Sequence, residues 1–258
     1  MRLRLVTLNI AHGRGLSPLP GLTTARRIRA TLLKIAALLT ELRADIVALQ
    51  EIDERSRWAG NFDQLAFLRE AAGFPHAVFG INSRRAGLLN FCYGNALLSR
   101  HPIVASESVG FGRGRVGDKG FLFAELDVRG RRLPLINLHL HYRSRVHRFT
   151  QAGQLIAWLR DRHATHGADW AVPPVVCGDF NNSAARADAT AALLRELSVS
   201  GGDYAAHPAD GARTFPSPLP ARALDFILLP PGCRHAHGQV VRAFVSDHRP
   251  VLVEFELV

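Results

Sequence analysis

Six times along the chain an apolar run delivers a carboxylate, an amide or an imidazole at or near its end. Asn9 follows Val6-Thr7-Leu8, and Gln50-Glu51 follows Ile46–Leu49. Asn137 and His139 are embedded in Leu135–Leu140, and Gly178-Asp179-Phe180-Asn181 follows Val175–Cys177. Asp225 interrupts Leu224 and Phe226–Leu229, and Ser246-Asp247-His248 follows Val240–Val245. Burying such groups unpaired is expensive. Singly, each has an ordinary reading as a turn or cap, but six together point to a shared site. Glu51, Asp179 and Asp247 with the amides Asn9 and Asn181 form an all-oxygen ligand set, which suits Mg²⁺, with Mn²⁺ as a substitute, rather than zinc. A hard cation beside a histidine suits hydrolysis of a phosphate ester by activated water. His248 can serve as base or electrostatic clamp if a carboxylate orients it, and Asp225 is the expected partner.

The elements that must position these groups are legible in outline. Strands are expected at Leu3–Thr7, Ile46–Gln50, Phe74–Phe79, Ala96–Ser99, Ile103–Val109, Phe121–Val128, Leu133–His139 and Val175–Cys177. Three more close the chain at Leu224–Leu229, Gln239–Val245 and Val251–Leu257. Arg129-Gly130 predicts a hairpin between two of them. Helices are expected at Arg26–Leu42, capped by Thr23 or Thr24, after Asn61 as a cap, at Val146–His163 and at Ala184–Leu197. Gly201–Pro220 reads as a long loop. Many strands with a few helices predict an α/β fold, a four-layer α/β/β/α sandwich of two stacked mixed β-sheets flanked by helices. With no composition break or linker, residues 1–258 read as one catalytic domain.

Composition excludes several classes. Hydrophobic residues make up 47% and charged residues 21% of 258, ordinary for a globular chain and foreign to disordered or coiled-coil proteins. Three cysteines, none in a C-x-x-C, argue against a disulfide framework or a zinc site. No apolar run is long enough to span a membrane, and Leu3–Ile10 is too short for a signal peptide, so the expected compartment is the cytoplasm and the expected state a monomer. Lys+Arg exceed Asp+Glu by 32 − 22 = 10. That field draws phosphate-bearing partners, although all the basic residues but Lys34 and Lys119 are arginine, which is also a compositional bias.

In order along nearly the whole chain, these motifs resemble those of the endonuclease/exonuclease/phosphatase superfamily. The matching stretches are Thr7-Leu8-Asn9-Ile10, Leu49-Gln50-Glu51, Tyr93–Ser99 with Pro102-Ile103, Asn137-Leu138-His139-Leu140, Gly178–Asn181, Leu224–Ile227 and Ser246–Val251. The resemblance implies that Glu51 and Asn9 hold the principal divalent ion and that Asp247 completes or flanks that site. It implies that Asp179 orients or deprotonates the attacking water, and that Asn181 positions water and phosphate. His248, braced by Asp225, contacts the phosphate and competes with Asp179 for the role of base. His139 resembles the second imidazole of pancreatic-deoxyribonuclease and sphingomyelinase branches, with Asn137 supporting that strand end. Asn137, Lys119, His141 and Tyr142 are the expected substrate-side residues. On charge, nucleic acid is the favoured substrate. A phospholipid or inositol phosphate is the alternative, suggested by His139 and by Lys119-Gly120. A nucleic-acid-binding module without catalysis is the reading from another class.

Other signals carry less. Gly112–Gly117 fits G-x-G-x-x-G, but a strand follows it where a dinucleotide site needs a helix. The segment reads instead as a loop near the site, whose Arg113, Arg115 and Lys119 could grip phosphate. As a plain alternative, Lys119 is a solvated turn residue. Trp58 and Phe62 read as packing residues before stacking ones, and Cys177 as a small buried hydrophobe.

Overall fold

The computed structural model describes residues 1–18, 21–112, 117–182, 188–209 and 211–258. Two six-stranded mixed sheets stack face to face between helices, as the strand-rich sequence predicts. The first sheet has the order β11-β12-β1-β2-β4-β3 and the second β5-β6-β7-β8-β10-β9. The strands are β1 (Arg2–Asn9), β2 (Ile46–Asp53), β3 (His76–Arg85), β4 (Phe91–Ser99), β5 (Ile103–Gly110) and β6 (Gly120–Val128). They continue with β7 (Arg131–His139), β8 (Val175–Asp179), β9 (Ala205–His207), β10 (Asp225–Leu229), β11 (Cys233–Val240) and β12 (Val251–Leu257). The helices are α1 (Ala25–Glu41), α2 (Gln64–Ala71), α3 (Arg145–His166) and α4 (Ala189–Gly201).

Three apolar layers hold the sandwich. Leu5, Ala48, Leu97, Leu122, Leu135 and Cys177 belong to the layer between the sheets. Ile28, Leu32 and Ile35 of α1 pack on the outer face of the first sheet, and Leu155 and Leu193 of α3 and α4 on the second. Alternate side chains along a strand face opposite layers, so Leu5 enters the inter-sheet core and Val6 the helix-covered one.

Each sheet has a parallel pair at its middle, β1 beside β2 and β7 beside β8. In register, Asn9 lies opposite Gln50, and His139 opposite Asp179. The antiparallel β10 then sets Asp225 opposite Asp179, and β12 sets Val251, three residues past His248, opposite Thr7. The polar strand ends therefore meet at one end of the sandwich.

The structure shifts several predicted boundaries. Helix α2 is capped by Asp63, whose Oδ1 accepts from the Ala66 N–H at 2.9 Å, and not by Asn61. Strand β3 runs on through polar residues to Arg85, and a short β9 sits inside the predicted loop. β11 ends at Val240, so the apolar stretch to Val245 is a connection rather than strand. Pro250, which faces it, has no N–H to extend the ladder. The start of the predicted Ala184 helix falls outside the described residues, and α4 begins at Ala189. Arg113 and Arg115 also lie outside them. All three cysteines are free. No helix among the described residues is long and apolar enough to cross a membrane.

Candidate active site

Asp179 is the hub of the strand-end cluster, 1% exposed. Its Oδ2 is 3.1 Å from Asn9 Nδ2, 3.3 Å from His139 Nε2 and 3.8 Å from His248 Nε2. Its Oδ1 accepts from the Asn181 backbone N–H at 2.9 Å. The backbone bends sharply to achieve this. Gly178 has φ of 138°, and a Cβ there would lie 2.0 Å from the Leu138 carbonyl oxygen, so only glycine fits. Asn181 stands in the left-handed region at φ 55°, and its Nδ2 donates to the Leu140 carbonyl at 2.9 Å. Burial pushes the Asp179 carboxyl upward, against the pull of His248 and His139.

His248 is gripped from behind. Its Nδ1 lies 2.9 and 3.1 Å from the two oxygens of Asp225, which also accepts Thr214 Oγ1 at 2.5 Å. Burial opposes a charged ring, but Asp225 and Asp179 outweigh it and raise the imidazole to about 10. His139 goes the other way. Burial, with Lys119 nearby, holds it down to about 4, and its Nδ1 is buried with no hydrogen-bond partner. The two rings that share Asp179 are thus a cation and a neutral donor. Among the described residues, Asp179, Asp225 and His248 also form a compact trio of metal-capable groups. Because Asp225 and His248 spend their facing atoms on each other, the trio is an orienting relay rather than a cation cage.

Glu51 sits at a bulge where β2 loses register with β4 between Gln50 and Ile52. It adopts φ of 51°, a conformation that costs on the order of 1–3 kcal/mol for a non-glycine residue. Its Oε1 accepts from Lys119 Nζ at 3.0 Å, and its Oε2 faces His12 Nε2 at 3.6 Å. Burial opposes its ionisation, yet Lys119, His12 and His139 hold the carboxyl well below its usual range. His12, itself at φ 57°, is anchored through Nδ1 to Asp53 Oδ2 at 2.6 Å, and Trp58 Nε1 donates to the other Asp53 oxygen at 3.1 Å. Asp247 is paired with Arg14 at 2.6 Å and tied to β1 through Ser246, whose Oγ donates to the Asn9 carbonyl at 2.7 Å.

The structure thus groups Asn9, His139, Asp179, Asn181, Asp225 and His248, with Glu51 and Asp247 held beside the same strand ends. Two substrate-side expectations change. Asn137 is fully buried between the sheets. Its Nδ2 donates to the Leu49 and Ala96 carbonyls at 2.8 and 2.9 Å, and its Oδ1 accepts from Gln50 Nε2 at 2.7 Å. Every polar atom it could offer a substrate is used in bolting the sheets together. Lys119 is neither a solvated turn residue nor free to grip phosphate, because it is 7% exposed and paired with Glu51. His141 and Tyr142 line a groove of about 370 Å³ with Gly117 and Asp118. Sequence reasoning missed His12, Asp53 and Arg14. The alternation Ile10-Ala11-His12-Gly13-Arg14 just past Asn9 was the only available signal.

The chain matches the profile of the Endonuclease/Exonuclease/phosphatase family over residues 6–248. The chain belongs to this family. Family members are hydrolases of phosphate esters. Among solved structures it resembles the endonuclease/exonuclease/phosphatase from Bacteroides vulgatus, 19% identical, covering 100% of both chains with a TM-score of 0.71. It also resembles sphingomyelinase C from Streptomyces griseocarneus, 20% identical, covering 98% of this chain and 99% of that one, TM-score 0.68. Truncated TDP2 from Caenorhabditis elegans is similar too, 16% identical over 99% of this chain and 97% of that one, TM-score 0.66. At these identities the likeness is one of fold. No curated protein sequence matches significantly.

The residues fit the divalent cation on which the family generally depends. Glu51 offers a carboxylate held well below its usual pKa on a side chain that is 20% exposed, a hard oxygen donor of the kind such a cation takes. Lys119 and His12 face Glu51, and Arg14 is paired with Asp247, so an ion here would share these carboxylates with basic side chains.

Proposed function

We propose that the protein is a divalent-cation-dependent phosphodiesterase, with Mg²⁺ as its ion. The observation that carries this reading is the convergence of Asn9, His139 and His248 on one oxygen of buried Asp179. Three nitrogen donors aimed at one point are what a phosphoryl oxygen, or the water attacking beside it, would use.

Glu51, Asn9 and Asp247 are the residues that would hold the ion. When bound, the ion would polarise the phosphoryl group and stabilise the leaving oxygen. Asp179 is the base: its pKa is raised, and its Oδ1 is fixed by Asn181. His248 acts as a clamp on phosphoryl oxygen, because Asp225 keeps its Nδ1 side occupied and its ring charged. His139 donates a neutral hydrogen bond to the same group. Asn181 positions the water. His141 and Tyr142 would form a wall of the substrate groove, and Lys119 holds Glu51 through Oε1.

Net charge of +10 fits a nucleic-acid phosphodiester. A phospholipid phosphodiester is the second reading, favoured by the exposed side chains of Leu16, Leu22, Leu88, Leu89 and Leu219. The test uses purified wild type, Glu51→Gln and His248→Gln on a soluble aryl phosphodiester, with Mg²⁺ and then EDTA. Turnover should require Mg²⁺ and be lost in both variants while circular dichroism is unchanged. Wild-type rates in either variant would remove the mechanism. Plasmid DNA, RNA, an abasic oligonucleotide and sphingomyelin, run side by side, then rank the substrates.

A further inference from the structure

Large apolar side chains are exposed unevenly over this molecule. Leu16 and Leu22 lie in the connection after β1, and Leu88 and Leu89 at the tip of the β3–β4 hairpin. Leu219 lies in the connection before β10, and Phe244 in the one before β12. These six are between 46% and 84% exposed. Their connections all leave the strand ends that carry the site. β1 ends at Asn9, β10 starts at Asp225 and β12 at Val251 opposite Thr7. The hairpin tip is on the same end because Tyr93 of β4 pairs with Asp53 at the end of β2. The tip is held in place by Arg57, whose Nη1 donates to the Leu88 carbonyl at 2.7 Å.

The opposite end is different. Its connections, residues 42–45, 72–75, 100–102, 129–130, 167–174, 202–204 and 230–232, expose no large apolar side chain, and what that end exposes is Met1 and Val258 at the chain termini and Val199 near the end of α4. The asymmetry is therefore not a general property of the loops. Apolar groups gathered around one opening mark a surface that meets something.

The rim is also basic. Leu16, Leu22 and Phe244 line a groove of about 410 Å³ with Arg27, Lys34 and Arg14, the last of which is paired with Asp247 outside that lining. Exposed Arg85 flanks the leucine tip. Phe244 and Tyr142 are exposed aromatics at this end with Arg242 and Arg143 over their rings, but the other five tips are leucines, which neither stack on bases nor pair with phosphates. Apolar tips with cations beside them match the boundary between acyl chains and anionic headgroups.

We propose that the active-site rim docks on an anionic phospholipid surface. Leu88-Leu89, Leu16, Leu22, Leu219 and Phe244 enter the headgroup layer, and Arg85, Arg27 and Lys34 meet its phosphates. The site then opens directly onto the lipid face. The link between docking and turnover rests on the phosphodiesterase reading, but docking itself does not.

The test is co-sedimentation of the full chain with vesicles of phosphatidylcholine alone or mixed with phosphatidylserine, without metal. The variant pairs are Leu88→Ser with Leu89→Ser, and Leu22→Ser with Leu219→Ser. Wild type should sediment with the mixed vesicles, and each pair should weaken that binding by about tenfold or more. All three proteins should hydrolyse a soluble aryl phosphodiester equally, which reports folding and the active site independently of docking. Loss of that hydrolysis in wild type, with vesicle binding intact, would overturn the enzymatic reading and leave the docking surface standing. Wild type that stays in the supernatant, or variants that bind as wild type does, would overturn the docking surface. So would duplex DNA binding weakened equally by the same variants, or a lipid-free dimer that they dissolve.

Discussion

The Nδ1 of His248 lies within 3.1 Å of both oxygens of Asp225, so the ring can turn only Nε2 toward Asp179. One buried carboxylate thus fixes the orientation and the charge of an imidazole facing a second buried carboxylate. Asp225→Asn keeps the shape and Thr214 as a neighbour but removes the charge. Turnover on a soluble phosphodiester should fall by about 10²–10⁴-fold, with circular dichroism unchanged. A loss smaller than about tenfold would show that His248 acts without its brace.

The same pair gives a pH signature in metal-free protein. His248 is raised to about 10 in the fold, above its ordinary 6.5. Its stabilising contribution is therefore complete below about pH 6.5 and disappears as pH rises through about 10. Urea midpoints in EDTA should fall between pH 7 and pH 10 more steeply for wild type than for His248→Gln. A parallel decline in the two proteins would contradict the assignment.

His139 has the opposite sign. Its folded value of about 4 lies below 6.5, so the unfolded chain takes up this proton first. Stability linked to it is lost as pH falls from about 6.5 to about 4. His139→Asn should be less sensitive than wild type to acid over that interval, as followed by urea unfolding.

Lys119 occupies Glu51 Oε1. Lys119→Met frees that oxygen and removes a competing positive charge, so calorimetric titration should show tighter Mg²⁺ binding. Glu51→Gln should show none above buffer. Unchanged affinity in Lys119→Met would mean that the lysine and the ion do not share the carboxylate.

Asn137→Ala removes three buried hydrogen bonds, taking a donor from the Leu49 and Ala96 carbonyls and one acceptor from Gln50, whose Nε2 keeps Thr7 Oγ1 and the Ala48 carbonyl. Each lost bond contributes about 0.5–1.5 kcal/mol, so the thermal midpoint should drop by several degrees. KM of any surviving folded enzyme should stay near wild type. A raised KM at unchanged stability would return Asn137 to the substrate.

Much of the candidate site was legible along the chain because each motif is local. An apolar run ending in a polar residue needs few neighbours to be noticed, and Glu51, Asp179, Asp225 and His248 each announced themselves this way. Two edge strands were not legible in full. β11 exposes alternate polar residues and β3 ends in Ser83-Arg84-Arg85, so neither keeps an apolar signature to its end.

The sequence by itself determined the layered α/β architecture and which residue types would gather at the strand ends, because apolar periodicity decides what is buried. Only the tertiary structure decided what those residues do to one another. It set His12 on Asp53, Arg14 on Asp247, Lys119 on Glu51 and Asn137 between the sheets. It also set one imidazole charged and the other neutral, although both face the same carboxylate. These are contacts between residues tens to hundreds of positions apart, and a pKa depends on the charges and burial that such contacts create.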